Sequence, residues 1–376
     1  MKTKISYVLF ILFTLFFVNS NIFAQKIKNI SYIPTWFNWE STDIDATQIT
    51  HLNLAFLHIK EGRVSFGENT ATQSFEQSIE NIQKLRLQNP SLKIMIAVGG
   101  WGADGFSDMA LSKKSRAVFI NSLVDFIEKY NFDGVDMDWE YPVNGGWGAI
   151  KSRPEDKQNF NLLLKETRTA LDKIGKKNKK QYILSFVTSV GGWYFDAVDI
   201  KQAITYVDYI AVMAYDLSGA FSSQTEHNNP LYTSNNIWSI DTFMQKLLAL
   251  NVSRDKIILG IPLYGKIFEG VENKNNGLYQ KFTKMGLNAE GYINFRDMPK
   301  YLNNKNFKKF YDSEAKVPYL YSAKDKIFIT YVNEESIKEL TNYINKHSLG
   351  GAMTWQILQD DTNFTLLKAI NNGLNK

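Results

Sequence analysis

The sequence predicts an α/β protein, a (β/α)8 barrel with a small α+β insertion domain between strand 7 and strand 8. Eight short runs rich in β-branched and aromatic residues each end in a turn or polar residue, and segments with helical apolar spacing lie between several of them. The insertion follows from spacing. From Ile261 to Trp355 the chain runs about twice as far as between any other pair of successive strand ends, more than one βα unit needs.

In order, strands are expected at Asn29 to Ile33, His51 to Leu57, Lys93 to Val98, Phe132 to Glu140, Tyr182 to Val187, Tyr209 to Ala214, Lys256 to Ile261 and Gly350 to Trp355. Nearly continuous apolar strands belong to a parallel sheet buried on both faces, so helices must cover it. A closed barrel is the economical arrangement, and an open doubly wound sheet is the alternative. Helical spacing is carried by Phe75, Ile79, Ile82 and Leu85, and by Val118, Ile120, Leu123, Val124 and Ile127. A third set is Phe160, Leu163, Leu164, Thr167, Leu171 and Ile174, with Pro154 expected in the first turn of that helix. The insertion is expected at 268–328, where Tyr292, Phe295, Phe307, Phe310, Tyr311, Tyr319 and Tyr321 supply a core. The barrel then occupies 25–267 and 329–376.

Residues 1–24 read as a secretory signal peptide. Lys2 and Lys4 precede an apolar run from Ile5 to Val18 that is short for a bilayer, and Ala24 offers the small residue for cleavage. The mature chain is therefore expected to be secreted, with no membrane contact. The absence of cysteine removes thiolate nucleophiles, disulfides, iron–sulfur clusters and cysteine-ligated zinc. A net charge of +5 is too modest for a nucleic-acid partner. His51, His58, His227 and His347 lack ligand spacing, so no metal and no cofactor are expected, and the chain is expected to be a monomer.

The chemistry concentrates in the fourth strand, Phe132-Asp133-Gly134-Val135-Asp136-Met137-Asp138-Trp139-Glu140-Tyr141-Pro142. Strand alternation puts Asp136, Asp138 and Glu140 on one face, at the C-terminal end where such barrels carry reactive groups. Three carboxylates this close cannot all ionise, so a proton must be shared. Glu140, nearest the mouth, is placed to act as a general acid. A conventional retaining glycosidase needs a second carboxylate facing the first across the sugar, whereas here the acids are stacked behind it. Hydrolysis assisted by the substrate's own 2-acetamido group fits that arrangement, with Asp138 orienting the acetamido N–H.

At this motif the sequence resembles glycoside hydrolase family 18, the chitinases and their relatives. The D-G-x-D-x-D-x-E signature is complete in Asp133, Gly134, Asp136, Asp138 and Glu140, followed by Tyr141-Pro142. Lys93 to Trp101, Met213-Ala214-Tyr215-Asp216, Leu259 to Gly265 and Gly350 to Trp355 are similar to the family's third, sixth, seventh and eighth strands. Val317 to Tyr321 with Ile329 to Tyr331 fits the subgroup carrying a small α+β domain. The resemblance implies a chitinase that cleaves β-1,4 linkages between N-acetylglucosamine units with retention, its partners being chitin or N-acetylglucosamine oligosaccharides. It makes Glu140 the proton donor, Asp138 the bridge from the acetamido group to Glu140, Asp136 the keeper of the resting proton network, and Tyr215 the group that holds the acetamido carbonyl. Tyr32, Phe56, Gly99, Gly100, Trp101, Tyr141, Met213, Asp216 and Trp355 are the implied substrate-binding residues. Trp355 would floor the distorted sugar and Trp101 would stack on the leaving-group side; for Trp147 and Trp193 ordinary packing is as good a reading. Two departures stand out: Ala97 where serine is common, and Lys266 where arginine is usual. The rival readings are an endo-β-N-acetylglucosaminidase acting on N-glycans and a chitin-binding lectin, the second disfavoured because Glu140 is kept.

Overall fold

Eight parallel strands form the centre of the molecule: β1 Lys28–Pro34, β2 His51–Lys60, β3 Lys93–Gly99, β4 Gly134–Asp138, β5 Ile183–Ser189, β6 Tyr209–Met213, β7 Ile257–Pro262 and β8 Gly351–Trp355. The computed structural model describes residues 27–66, 74–146, 148, 150–233 and 238–376; the expected signal peptide and Trp147 lie outside the described residues. Each strand pairs with the next in parallel. β8 returns to β1, with Lys28 opposite Gly351, and this closure excludes the open doubly wound sheet. The fourth strand is shorter than its sequence suggests, and Trp139 and Glu140 run on past its last paired residue.

Side-chain alternation divides the barrel's apolar residues into two sets. Ile30, Tyr32, Ala55, Met95, Ala97, Ala211, Ile258 and Met353 cluster inside it. Their neighbours Ile33, Leu54, Ile96, Val135, Val212 and Leu259 face outward into a larger core. That core is completed by helices such as Phe75–Gln88, Lys113–Tyr130 and Asp156–Asn178, whose buried residues include Leu85, Leu123 and Leu164. Ser74 caps the first of these by accepting from the Gln77 N–H, and Ser112 with Ser115 forms a capping box on the second. The third begins later than expected. Its N-cap is Glu155, so Pro154 precedes the helix instead of lying in its first turn. The entry is fixed by the buried Asp156 carboxylate, which accepts from the Arg153 N–H at 2.7 Å and the Ser107 hydroxyl at 2.8 Å.

Between β7 and β8 the chain builds a second, six-stranded antiparallel sheet from Tyr264–Glu269, Lys284–Met285, Tyr292–Asn294, Lys308–Asp312, Val317–Ser322 and Ile327–Thr330. The sheet extends past 268–328 at both ends because Tyr264–Glu269 follows almost directly on β7 and pairs with Ile327–Thr330. Phe307 and Leu320 lie in one of its apolar clusters, and Tyr319, Tyr321 and Phe328 in another. Tyr292 belongs to neither: it packs against the barrel's inner cluster beside Tyr215 and Tyr264. Among the described residues, no helix is long and apolar enough to cross a membrane.

Candidate active site

The acid column rises along β4 toward the barrel mouth. Asp133, first in the motif, is not part of it. It lies at the foot of the strand, where Arg86 at 3.0 Å and Lys180 at 2.9 Å pair with its carboxylate and the Ile94 N–H donates to it at 2.8 Å. Asp136, Asp138 and Glu140 are all buried. Asp136 is innermost and accepts from the hydroxyls of Tyr32 and Ser185, each at 2.5 Å. Register explains these partners. Asp136 lies opposite Ala97 on β3 and Ser185 on β5, so the hydroxyl missing at Ala97 is supplied from the other side. Burial pushes Asp136 up to about 6, while the Ser185 and Tyr32 hydroxyls pull it down.

Asp138 donates a hydrogen bond to Glu140. Burial first, and then the charges of Glu140 and Asp136, hold its carboxyl well above the usual range, so it carries the shared proton. Its Oδ1 is buried and has no hydrogen-bond partner among the described residues. Burial pushes Glu140 up to about 7; the Tyr141 hydroxyl and the Asp138 proton oppose the rise, and the Asp216 charge adds to it. The Tyr215 hydroxyl donates to the Met353 sulfur at 3.8 Å and lies in the field of Asp138, Asp216 and Glu140. Burial and those charges keep it a neutral donor.

Asp216 follows Tyr215 with φ at 56° and pairs with Lys266 at 2.9 Å. The Tyr292 hydroxyl donates to its other oxygen at 3.1 Å. Lys266 thus contacts an acid beside the site, with a single ammonium where an arginine would offer a two-pronged guanidinium.

An aromatic wall stands beside the column. Phe56 stacks on Trp355 with ring centroids 5.4 Å apart and planes 18° from parallel, and Tyr32 lies 5.7 Å from Trp355. Trp36, in the loop after β1, joins them at 6.0 Å from Phe56 and 6.1 Å from Trp355. The sequence motifs do not single it out, although an aromatic just past a strand's C-terminal end, like Trp101 after β3, is a signal that could have found it. On the opposite flank Tyr141 lies 6.2 Å from Trp101 and 4.9 Å from Trp193, and Trp101 is 55% exposed. Met213 ends β6, half-buried against the inner cluster. Gly99 and Gly100 are needed for contacts within the protein. Their φ angles are 119° and 93°; a Cβ on Gly99 would meet the Asp138 carbonyl at 2.0 Å, and one on Gly100 the Phe56 ring at 2.4 Å.

A graded set of proton affinities between flat aromatic surfaces, at the C-terminal end of a parallel barrel, is what a glycoside hydrolase requires. A model of Glycosyl hydrolases family 18 matches residues 28–360, and the chain belongs to that family. It is 34% identical over 412 residues to Chitinase A1 of Niallia circulans, covering 93% of this chain and 59% of that protein. Among solved structures it is similar to Chitinase ChiW from Paenibacillus sp. str. FPU-7, with a TM-score of 0.87 and 36% identity over 93% of this chain and 43% of that one. A family 18 N-acetylglucosaminidase from Paenibacillus barengoltzii gives a TM-score of 0.82 and 31% identity, over 93% of this chain and 100% of the other. The chain therefore spans less than two thirds of the first two relatives.

Proposed function

We propose that the chain is a secreted, monomeric chitinase, hydrolysing β-1,4 linkages between N-acetylglucosamine units with retention and with the substrate's acetamido oxygen as nucleophile. The observation that carries this reading is Asp138, which donates to Glu140 while its buried Oδ1 has no partner among the described residues. That oxygen is suited to accept the acetamido N–H. Tyr215 would donate to the acetamido carbonyl and aim it at C1, while the ring of Trp355 supports the sugar. The carbonyl oxygen forms a bond to C1 as the C1–O bond to the leaving sugar breaks, and Glu140 gives its proton to the departing oxygen. Water then attacks C1 from the leaving-group side. Glu140 takes a proton from it and the ring of the oxazolinium opens, restoring the acetamido group and the original anomer. Asp216, the other acid facing Glu140, is engaged by Lys266 and Tyr292, which disfavours it as a protein nucleophile. The six-stranded sheet is read as an insertion domain walling the cleft.

A thiazoline analogue of the cyclic intermediate should inhibit competitively. Indifference to it in a steady-state assay would argue for a protein nucleophile. The hydroxyl of Ser185 lowers Asp136's hold on its proton, so Ser185→Ala should move the acidic limb of the kcat/KM profile to higher pH. A limb that stays in place contradicts the assigned role of Ser185. The Paenibacillus barengoltzii neighbour, described as an N-acetylglucosaminidase, favours a second reading in which single sugars are released from chain ends. Monomer as the sole early product from a chitin oligomer would select it.

A further inference from the structure

Lys266 is 4% exposed, and a buried ammonium needs a reason. It lies on the first strand of the antiparallel sheet, outside the barrel proper. Its Nζ is 2.9 Å from Asp216 Oδ1, donates to the Glu290 carbonyl at 3.3 Å, and sits 3.6 Å from the centroid of the Tyr292 ring. Tyr292, on another strand of the sheet, holds the second oxygen of the same carboxylate. The loop that carries Asp216 is fastened through residues 225–228 to this sheet and one of its connecting turns. The Thr225 hydroxyl donates to the Gly277 carbonyl at 2.5 Å, His227 pairs with Asp312 at 3.1 Å, and the Asn228 N–H reaches the Thr330 hydroxyl at 3.3 Å. Barrel and sheet therefore meet at Asp216, whose charge faces Glu140 and Tyr215.

We propose that Lys266 is a positioning residue for the reaction, neutralising Asp216 from the antiparallel sheet and so setting how tightly Glu140 holds its proton. This rests on the reading of Glu140 as proton donor. Glu140 is faced by Asp138, Tyr141, Tyr215 and Asp216, with Tyr194 close by. Asp216 in turn is faced by Tyr215, Tyr264, Tyr292 and Lys266. Lys266 is the one cation in this set. Asp216 remains partly open to solvent and keeps the Tyr292 hydroxyl when the lysine is removed. Its unbalanced charge then opposes ionisation of Glu140 more strongly, and Glu140 keeps its proton to higher pH.

The test is a titration of the full chain carrying 13C-labelled glutamate, with the Glu140 signal identified by its loss in Glu140→Gln. In Lys266→Met and Lys266→Gln the Glu140 midpoint should rise by about half a pH unit or more, and in Lys266→Arg it should stay within about 0.2 unit of wild type. In an Asp216→Asn background, Lys266→Met should produce no further rise. An unmoved midpoint in either folded neutral variant, or an equal rise without the Asp216 charge, overturns the proposal. Two neutral replacements are used so that misfolding of one leaves the other to decide. The titration requires no turnover, so a wild-type protein that titrates as expected but cleaves nothing would overturn the chitinase reading alone.

Discussion

Glu140→Gln is expected to lower turnover of N-acetylglucosamine oligomers by about 10³-fold or more while leaving their binding close to wild type. A general acid placed in this way supplies roughly 10² to 10⁴ in rate. Glutamine keeps the shape of the side chain and can still accept from Tyr141, but it has no proton to give. Stability should move the other way. Burial raises the Glu140 carboxyl from the ordinary 4.5 to about 7, so folding takes up a proton between those pH values and stability falls as pH rises through that window. Glutamine takes up none. The variant should therefore melt at a higher temperature than wild type above about pH 7, with the two curves converging below about pH 4.5. Oligomer cleavage and binding assays with thermal melts at both pH values check this. A variant with more than a tenth of wild-type turnover would remove Glu140 from the role of acid.

Asp138→Asn is expected to cost about 10²-fold or more in kcat, with a parallel loss of affinity for the thiazoline analogue. Asp138 holds a proton against Glu140 and keeps a buried oxygen for the acetamido group. Asparagine has the size for both contacts, but it cannot take on the negative charge that balances a positively charged oxazolinium. The effect should therefore be greater on the intermediate analogue than on the unreacted oligomer. Measurement of kcat beside the two affinities separates these outcomes. A kcat within tenfold of wild type, or equal losses for analogue and oligomer, would contradict the bridging role.

The acid column is legible in the sequence because a two-residue period places Asp136, Asp138 and Glu140 on one face without tertiary information. The long helix Asp156–Asn178 is legible for a similar reason: Phe160, Leu163, Leu164, Thr167, Leu171 and Ile174 repeat at helical spacing, and all are buried. Other features depend on distances that no local pattern carries. Ser185 meets Asp136 only because of the register between β4 and β5. Tyr292 reads as part of an aromatic insertion core, yet it turns to the barrel because its strand pairs with Tyr264–Glu269 beside the loop of Asp216. Lys266 stands out as a departure from the resemblance, and its partner emerges only when sheet and loop are brought together. Gly99 and Gly100 are implied as substrate-binding residues by the resemblance, and that a Cβ at either would also meet Asp138 or Phe56 emerges only from the fold.

The most direct test of retention by substrate assistance is to follow the anomeric form of the products while the purified protein cleaves chitin hexamer, with Glu140→Gln in parallel. Shorter N-acetylglucosamine oligomers appearing first as the β-anomer, and absent with the variant, are the predicted result. Initial α-anomer, or a hexamer that binds and is never cleaved, would contradict it.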